Sequence, residues 1–261
     1  MENKPPGGAV QRRFKFIGCE IVYREACHLA AASPHQVDVE FLRKGLHDLE
    51  RADMTAKIQA TIDAVDASQY EAVLLGYARC NDGLVGVRAR QLPLVMPRAH
   101  DCITFFFGSR AGYQAYFDEH PGTYYLTTGW AERNLYGTGD YAKPAYGKTG
   151  VMAKLGLTGT YEEMVAQYGK ENADFILESL GDWRANYSNC LYLSMGVCDE
   201  TPFVEQARAE AAKHHWRFEE RPGDMGLLKK LFWANWDDDF LVVPPGAAIT
   251  ARNDHNVVGA E

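Results

Sequence analysis

Residues 71–80 read Glu-Ala-Val-Leu-Leu-Gly-Tyr-Ala-Arg-Cys, and the turn sequence Asn-Asp-Gly follows at 81–83. A short apolar run that ends in turn residues is typical of a strand buried on both faces of a parallel sheet. Similar runs lie at 14–19, 92–97 and 190–196, with stretches of helical apolar spacing between them. This alternation of strands and helices predicts an α/β protein in which parallel sheets are flanked by helices.

We expect the chain to form two Rossmann-like lobes, with the functional site in the cleft between them. Strand and helix patterns occur on both sides of a segment rich in Gly, Tyr, Lys and Thr, which we interpret as a connection. Ligands of open α/β sheets bind at the carboxyl ends of the strands. The expected order is a flexible N-terminus at 1–12, an N-terminal α/β lobe at 13–133, the connection at 134–160, a C-terminal α/β lobe at 161–250 and a flexible tail at 251–261.

The composition excludes several classes of protein. The 261 residues are 46% hydrophobic and 24% charged, which is ordinary for a globular chain and excludes collagen and intrinsic disorder. With 27 basic and 35 acidic residues the net charge is −8, so we expect no nucleic-acid partner. No apolar stretch reaches the roughly 18 residues of a membrane span, and the polar first residues lack a signal-peptide core. We therefore expect a cytoplasmic protein that does not contact a membrane.

The six cysteines are the most informative residues of this chain. In a cytoplasmic protein, cysteines are more often free thiols or metal ligands than disulfides. Cys19 ends the first predicted strand, Cys80 ends the second apolar run, and Cys102 follows the third. Because neighbouring strands of a sheet lie about 5 Å apart, these three thiols can meet in one crevice. They predict a metal site with three cysteine ligands and an open coordination position, which suits zinc or an iron–sulfur cluster.

The same cysteines have a simpler interpretation as packing residues, because a free thiol behaves as a small apolar group. The sequence has no Cys-x-x-Cys pair, so no zinc-ribbon or ferredoxin motif supports a metal site. We interpret Cys27 and Cys190 as core residues. Cys198 follows a predicted strand, and both a core position and a position in the crevice remain open for it.

Three polar residues near the cysteines are candidate catalytic groups. His100, two residues before Cys102, can serve as an imidazole ligand, and Asp101 between them can orient it or act as a base. Glu25, six residues after Cys19, can reach the same crevice as a base or a ligand. The alternatives are that Asp101 caps the next segment and that His100 and Glu25 are solvated surface residues.

A cofactor contact is predicted just after the fourth strand, at Thr127, Thr128, Gly129 and Trp130. These residues offer hydroxyls, a backbone amide and an indole to a ligand, and a packed corner is the alternative. The first strand is not followed by Gly-x-Gly-x-x-Gly and the chain has no Walker-type Lys, so a nucleotide cofactor is not expected. If the connection closes over the cleft, Tyr136, Tyr141 and Tyr146 can form an aromatic lid.

Several of these segments resemble a family of bacterial and archaeal proteins of unknown function. The resemblance covers most of residues 14–245 and is carried by Cys19 with Glu25, Gly76-Tyr77-x-x-Cys80, Asp101-Cys102-Ile103 leading to Gly108 and Tyr113, and the segments 122–131 and 240–246. Members of that family are often encoded beside corrinoid-dependent methyltransferases of methylamine and related one-carbon metabolism. The resemblance implies cysteines at the positions of Cys19, Cys80 and Cys102, and one-carbon or methyl chemistry by association. This chain departs from the family in having His100 where other members can have a second acidic residue.

Three functions of different classes follow from these observations. The first is an enzyme whose thiolate-ligated iron–sulfur or zinc site acts on a small polar substrate, by lyase or methyl-transfer chemistry in one-carbon metabolism. The second is a non-catalytic accessory protein that binds a corrinoid or a metal and serves a corrinoid protein or a methyltransferase. The third is a small-molecule sensor or scaffold whose cysteines are core residues.

Overall fold

The computed structural model describes residues 11–46, 49–135, 165–166, 168–180 and 186–261. Within these ranges the chain forms ten strands and seven α-helices, joined in part by short 3₁₀ turns. Most of the N-terminus predicted to be flexible at 1–12 lies outside the described residues. The same holds for nearly all of the connection predicted at 134–160, including its three candidate lid tyrosines.

The order of elements along the chain confirms the predicted α/β class. The strands are β1 (Arg13–Cys19), β2 (Gln36–Leu42), β3 (Ala72–Gly76), β4 (Leu94–Pro97), β5 (Thr123–Thr127), β6 (Asn189–Ser194), β7 (Arg217–Pro222), β8 (Phe240–Val243), β9 (Ile249–Ala251) and β10 (Val258–Ala260). The α-helices are α1 (Tyr23–Ala32), α2 (Arg51–Asp63), α3 (Arg110–Glu119), α4 (Thr128–Leu135), α5 (Lys170–Leu180), α6 (Thr201–Lys213) and α7 (Gly226–Phe232). None of the described helices has both the length and the apolar content that crossing a membrane requires.

The larger sheet contains five strands in the order β2-β1-β3-β4-β8. The first four strands are parallel to one another, and β8 runs antiparallel to β4 at the edge. All five residues of β3 are buried, which confirms the buried parallel strand predicted from the apolar run. This strand lies between β1 and β4, in the middle of the sheet.

Glycines near the carboxyl ends of β1 and β3 make room for an aromatic ring on the sheet. Gly18 and Gly76 are partners in the β1–β3 register, and the fully buried ring of Phe16 lies against both. A Cβ on Gly76 would come within 2.2 Å of the ring carbon Cζ of Phe16. Close packing therefore holds the two strand ends from which the loops of the site depart.

The strand order creates a topological switch point between β1 and β3. From β1 the chain passes through α1 to β2 on one side, and then returns through α2 to β3 on the other side. The connections that leave the carboxyl ends of β1 and β3 therefore diverge and open a crevice. Open α/β sheets bind their ligands in this position.

A second, three-stranded sheet has the order β5-β6-β7, with all strands parallel. Its pairing departs from the predicted division of the chain into lobes. Strand β5, expected in the N-terminal lobe at 13–133, pairs with β6, and β8, expected in the C-terminal lobe at 161–250, pairs with β4. Apolar periodicity identifies a strand but carries no information about its partner, so the sequence could not show this exchange.

The last residues differ from the flexible tail predicted at 251–261. Strand β10 pairs antiparallel with β9, and both Val257 and Val258 are buried. The guanidinium of Arg98 donates hydrogen bonds to the backbone carbonyls of Asn256 and Val258. Strand pairing, buried side chains and these hydrogen bonds together hold this segment against the larger sheet.

Candidate thiolate site

The three cysteines predicted as metal ligands lie at the carboxyl edge of the larger sheet. Cys19 is the last residue of β1, Cys80 begins a 3₁₀ turn after β3, and Cys102 begins another after β4. Because β1, β3 and β4 are neighbours in the sheet, the three side chains converge. All three line one small cavity, together with Lys44 and Trp130.

The turn that carries Cys80 has an unusual backbone conformation. Asn81 and Asp82 have positive φ angles of 50° and 53°, a region that Asn and Asp tolerate better than other non-glycine residues. The side chain of Asn81 donates a hydrogen bond to the carbonyl of Leu49, and Arg79 forms an ion pair with Asp82. The polar residues after β3 therefore hold the backbone that presents Cys80 to the cavity.

Cys80 and Cys102 are in direct contact. The thiol and the backbone N–H of Cys102 donate hydrogen bonds to the sulfur of Cys80, which lowers the pKa of Cys80 below its ordinary value. The pKa of Cys102 is raised well above its ordinary value, because its ionisation would break this bond in a buried place beside other thiols. The hydrogen bonds therefore favour ionisation of Cys80 over ionisation of Cys102.

Cys19 completes the group and is more deeply buried. Burial raises the pKa of Cys19 to about 12, and the nearby thiol of Cys80 acts in the same direction, whereas a hydrogen bond from the backbone of Ile21 opposes the change. The neighbouring Cys19 also contributes to the raised pKa of Cys102. Among the residues that the structure describes, no three His, Cys, Asp or Glu side chains are arranged as a ready-made metal site.

A larger cavity adjoins the Cys80–Cys102 pair. It has a volume of about 550 Å³ and is lined by both cysteines and by Trp130, which also lines the small cavity. Its lining also includes residues of α3, of β5 and of the segments that precede β5 and β6, namely Tyr113, Phe117, Gly122, Thr123, Tyr125 and Tyr187. Small-molecule sites usually measure about 300–1,000 Å³, so the cavity has the size of such a site.

Asp101 and His100 line this cavity beside Cys102. One carboxylate oxygen of Asp101 accepts a hydrogen bond from the N–H of Ile103 at 2.9 Å, and the other accepts one from the hydroxyl of Tyr113 at 2.8 Å. The first bond caps the 3₁₀ turn after β4, as the structural alternative for Asp101 expected. The second bond ties the same carboxylate to the wall of the cavity, so Asp101 is fixed in place.

Part of the lining of this cavity is aromatic. The ring of Tyr113 packs against Phe117 and Tyr125, with centroids 6.1 and 5.8 Å apart. The hydroxyl of Tyr125 is buried without a hydrogen-bond partner among the described residues, and burial raises the pKa of Tyr125 to about 12. Burial and the Asp101 carboxylate also raise the pKa of Tyr113. A bound polar molecule would satisfy the free hydroxyl of Tyr125.

Glu25 lines neither of the two cavities that contain Cys19, Cys80 and Cys102. Its side chain is fully buried on α1, and within the described structure neither carboxylate oxygen has a hydrogen-bond partner. Burial and, to a smaller extent, the nearby carboxylate of Glu200 raise the pKa of Glu25 to about 7, and Arg24 opposes the change. The structure therefore does not bring Glu25 into the crevice with Cys19, because a 3₁₀ turn and the first turn of α1 separate them.

Of the four residues predicted to contact a cofactor, Trp130 lines both cavities. Thr127 and Thr128 are fully buried, and the Thr128 hydroxyl is hydrogen-bonded to another buried hydroxyl at 2.9 Å. Gly129 lies against the turn after β1, where a Cβ would stand 1.8 Å from the carbonyl oxygen of Ile21. Residues 127–129 therefore form a packed corner, which was the alternative to a cofactor contact.

The other three cysteines lie outside the thiolate site. Cys190 is fully buried in β6, as predicted for a core residue, and Cys27 is partly exposed on α1. Cys198 lies near Arg24 and Glu200. It therefore belongs to the surroundings of Glu25 and not to the crevice of the other three thiols.

A family model described as a protein of unknown function, DUF1638, matches residues 41–232. The chain belongs to this family. The membership agrees with the resemblance to a family of unknown function that the sequence motifs carry. The DUF1638 match contains Cys80, Cys102 and the lining of the larger cavity, and it begins after Cys19. No curated protein and no solved structure matches the chain.

Sequence reasoning missed the aromatic wall in this member of the DUF1638 family. Tyr113, Phe117 and Tyr125 are spaced like ordinary packing residues of a helix and a strand. The bond between Asp101 and Tyr113 joins positions that no helical or strand repeat relates. A local concentration of aromatic residues after position 112 was the available signal, and it does not tell a cavity wall from a core.

Proposed function

We propose that Cys19, Cys80 and Cys102 bind zinc or an iron–sulfur cluster, and that this centre acts on a small polar substrate in the adjoining cavity. The observation that carries the proposal is that thiols from three neighbouring strand ends line one cavity. They lie beside the topological switch point, where open α/β sheets usually bind ligands.

The chemistry of the three donors suits a soft metal. Thiolates favour zinc, copper(I) and iron–sulfur clusters, and three of them leave a coordination position open for a substrate. Cys80 and Cys102 are already in contact, so two of the sulfurs are preorganised. The described residues contain no group of three side chains already arranged to bind a metal. Metal binding would therefore require Cys19 to move toward the Cys80–Cys102 pair. It would also require the thiol of Cys19, which burial keeps protonated, to lose its proton.

The walls of the larger cavity offer the groups that a polar substrate requires. The carboxylate of Asp101, fixed by two hydrogen bonds beside Cys102, can accept a proton from the substrate and return it. His100, exposed at the edge of the same cavity, is a second proton carrier. The free hydroxyl of Tyr125 can donate a hydrogen bond that orients the substrate. A bound zinc ion or cluster would supply a Lewis acid at the cysteine end of the cavity.

The one-carbon part of the proposal rests on the resemblance described above. It predicts a small substrate that carries a methyl or other one-carbon group, and a methyltransferase or corrinoid protein as the partner in the cytoplasm. A non-catalytic accessory protein that binds a corrinoid or a metal is the alternative, and it uses the same cavity. Titration with cobalamin separates the two, because a spectral change at micromolar concentration without turnover favours the accessory protein.

The metal site is tested by purifying the protein without oxygen and measuring its metal content and absorption spectrum. We expect stoichiometric zinc or iron, and we expect Cys102→Ser to lose it, because the loss of one ligand of three leaves little affinity. Cys190→Ser is the matched control, since this thiol is buried in another sheet, and it should keep the metal. Metal-free wild-type protein that also fails to take up zinc or to accept a reconstituted cluster would contradict the proposal.

A further inference from the structure

We propose that Cys80 and Cys102 form a reversible disulfide with each other by exchange with a low-molecular-weight disulfide that enters the larger cavity. The protein would then have a dithiol–disulfide redox activity that does not depend on a bound metal. This activity goes beyond the proposed metal centre, because it uses two of the three cysteines and a different substrate class.

The first support is the contact between the two sulfurs. The thiol of Cys102 is hydrogen-bonded to Cys80, and both residues are free cysteines. They begin the 3₁₀ turns that follow β3 and β4, and these strands are parallel neighbours. Two thiols already in hydrogen-bond contact need only a small displacement to reach the bonding distance of a disulfide.

The second support is access to the pair from outside. Both cysteines line the cavity of about 550 Å³, whereas Cys19 does not. The cavity also contains polar groups next to the sulfurs, the carboxylate of Asp101 and the imidazole of His100. A small disulfide can therefore reach Cys80 and Cys102 and leaves the third thiol untouched.

The third support is the direction of the hydrogen bonds. Cys80 accepts hydrogen bonds from both the thiol and the backbone N–H of Cys102, so Cys102 is the donor of the pair and we assign Cys80 as the attacking sulfur. Its thiolate attacks one sulfur of the small disulfide R–S–S–R, forms a mixed disulfide and releases one thiolate RS⁻. Cys102 then gives up its proton and attacks the sulfur of Cys80, which expels the second RS⁻.

The two steps balance in atoms and electrons. The protein dithiol loses two electrons and two protons, and the small disulfide gains them and becomes two molecules of RSH. Excess RSH reverses the reaction through the same mixed disulfide. The oxidised pair lacks two of the three thiolates proposed to bind metal, so a bound metal and this disulfide exclude each other.

The test uses the full-length protein, reduced and freed of metal with a chelator under anaerobic conditions, and bis(2-hydroxyethyl) disulfide as the probe. We expect the protein to lose two of its six thiols and the mass of two hydrogen atoms, with Cys80 and Cys102 joined in the peptide map. Cys102→Ser should stop at the mixed disulfide on Cys80, and Cys80→Ser should form neither product. Cys190→Ser, a buried core thiol, should behave like the wild type.

Two results would overturn the inference. One is a reduced, metal-free wild-type protein that keeps all six thiols in the presence of excess probe. The other is a disulfide that joins Cys19 to either partner, which Cys19→Ser would then abolish. The outcome is separate from that of the metal site. A Cys80–Cys102 disulfide in a protein that takes up no metal contradicts the metal centre alone, and metal uptake without this disulfide contradicts the redox pair alone.

Discussion

Ionisable side chains are buried both at the carboxyl edge of the larger sheet and in the first turn of α1, but their surroundings differ. At the sheet edge, the sulfurs of Cys80 and Cys102 are hydrogen-bonded to each other and face a cavity of about 550 Å³. In the first turn of α1, the carboxyl group of Glu25 is fully buried without a hydrogen-bond partner in the described part of the chain, and it lines neither cavity beside the cysteines.

Burial shifts a pKa in both regions, but only the cysteines line one of the two cavities. Burial raises the pKa of Glu25 to about 7 and that of Cys19 to about 12. Cys19 shares a cavity with two more thiols, where we propose that a metal binds. Glu25 is fully buried, and there the same physical effect lowers stability at neutral pH.

Replacement of Glu25 with Gln tests this contrast most strongly. The folded-state pKa of about 7 lies above the ordinary value of 4.5, so the wild-type protein loses stability as pH rises through this interval and no further above it. We expect Glu25→Gln to stabilise the protein by up to about 3 kcal/mol at pH 8, with little effect near pH 4.5. Urea unfolding at both pH values measures the difference.

Glu205→Gln is the control for this experiment, because Glu205 is exposed on α6, and it should leave the pH profile of stability unchanged. A Glu25→Gln variant that keeps the wild-type profile would show that the carboxyl group is solvated in the folded protein. The contrast between the two regions would then fail.

Gly129 connects the two regions, because α4 packs there on the turn that follows Cys19. A Cβ would stand 1.8 Å from the carbonyl oxygen of Ile21, and backbone cannot move aside as a side chain can. We expect Gly129→Ala to lower the free energy of unfolding by about 2 kcal/mol and to shift the fluorescence of Trp130. Gly86→Ala, at a position with open space but positive φ, should lower stability without moving that fluorescence. Unchanged stability of Gly129→Ala would mean that the contact is loose.

The two tyrosines on the cavity wall give the smallest expected effect. Tyr113→Phe removes the hydroxyl that donates to Asp101 and should cost about 1 kcal/mol of stability. Tyr125→Phe removes a hydroxyl that has no partner among the described residues, so it should be neutral or slightly stabilising in thermal unfolding. Equal losses from both substitutions would show that the carboxylate of Asp101 is not fixed by Tyr113.

Local signals in the sequence were enough to place the cysteines. The apolar run of β3 and the turn residues after it predict a buried strand that ends near Cys80, and the structure has that strand. The partners of β5 and β8 could not be predicted, since pairing joins residues far apart in sequence. The burial of Glu25 was also out of reach, because its surroundings include residues distant in sequence, such as Glu132 and Glu200, and a Glu in the first turn of a helix is usually solvated.

Strand β8 has a consequence for how the protein folds. It completes the larger sheet at 240–243 beside β4 at 94–97, and all three strands of the smaller sheet lie between them in sequence. The chain must therefore close a loop of more than a hundred residues before the edge of β4 is covered, and sheets built from such distant pairs fold slowly. A fragment that stops at residue 133 would leave that edge bare, and an uncovered edge strand recruits other chains. Aggregation is therefore the expected fate of the isolated first half.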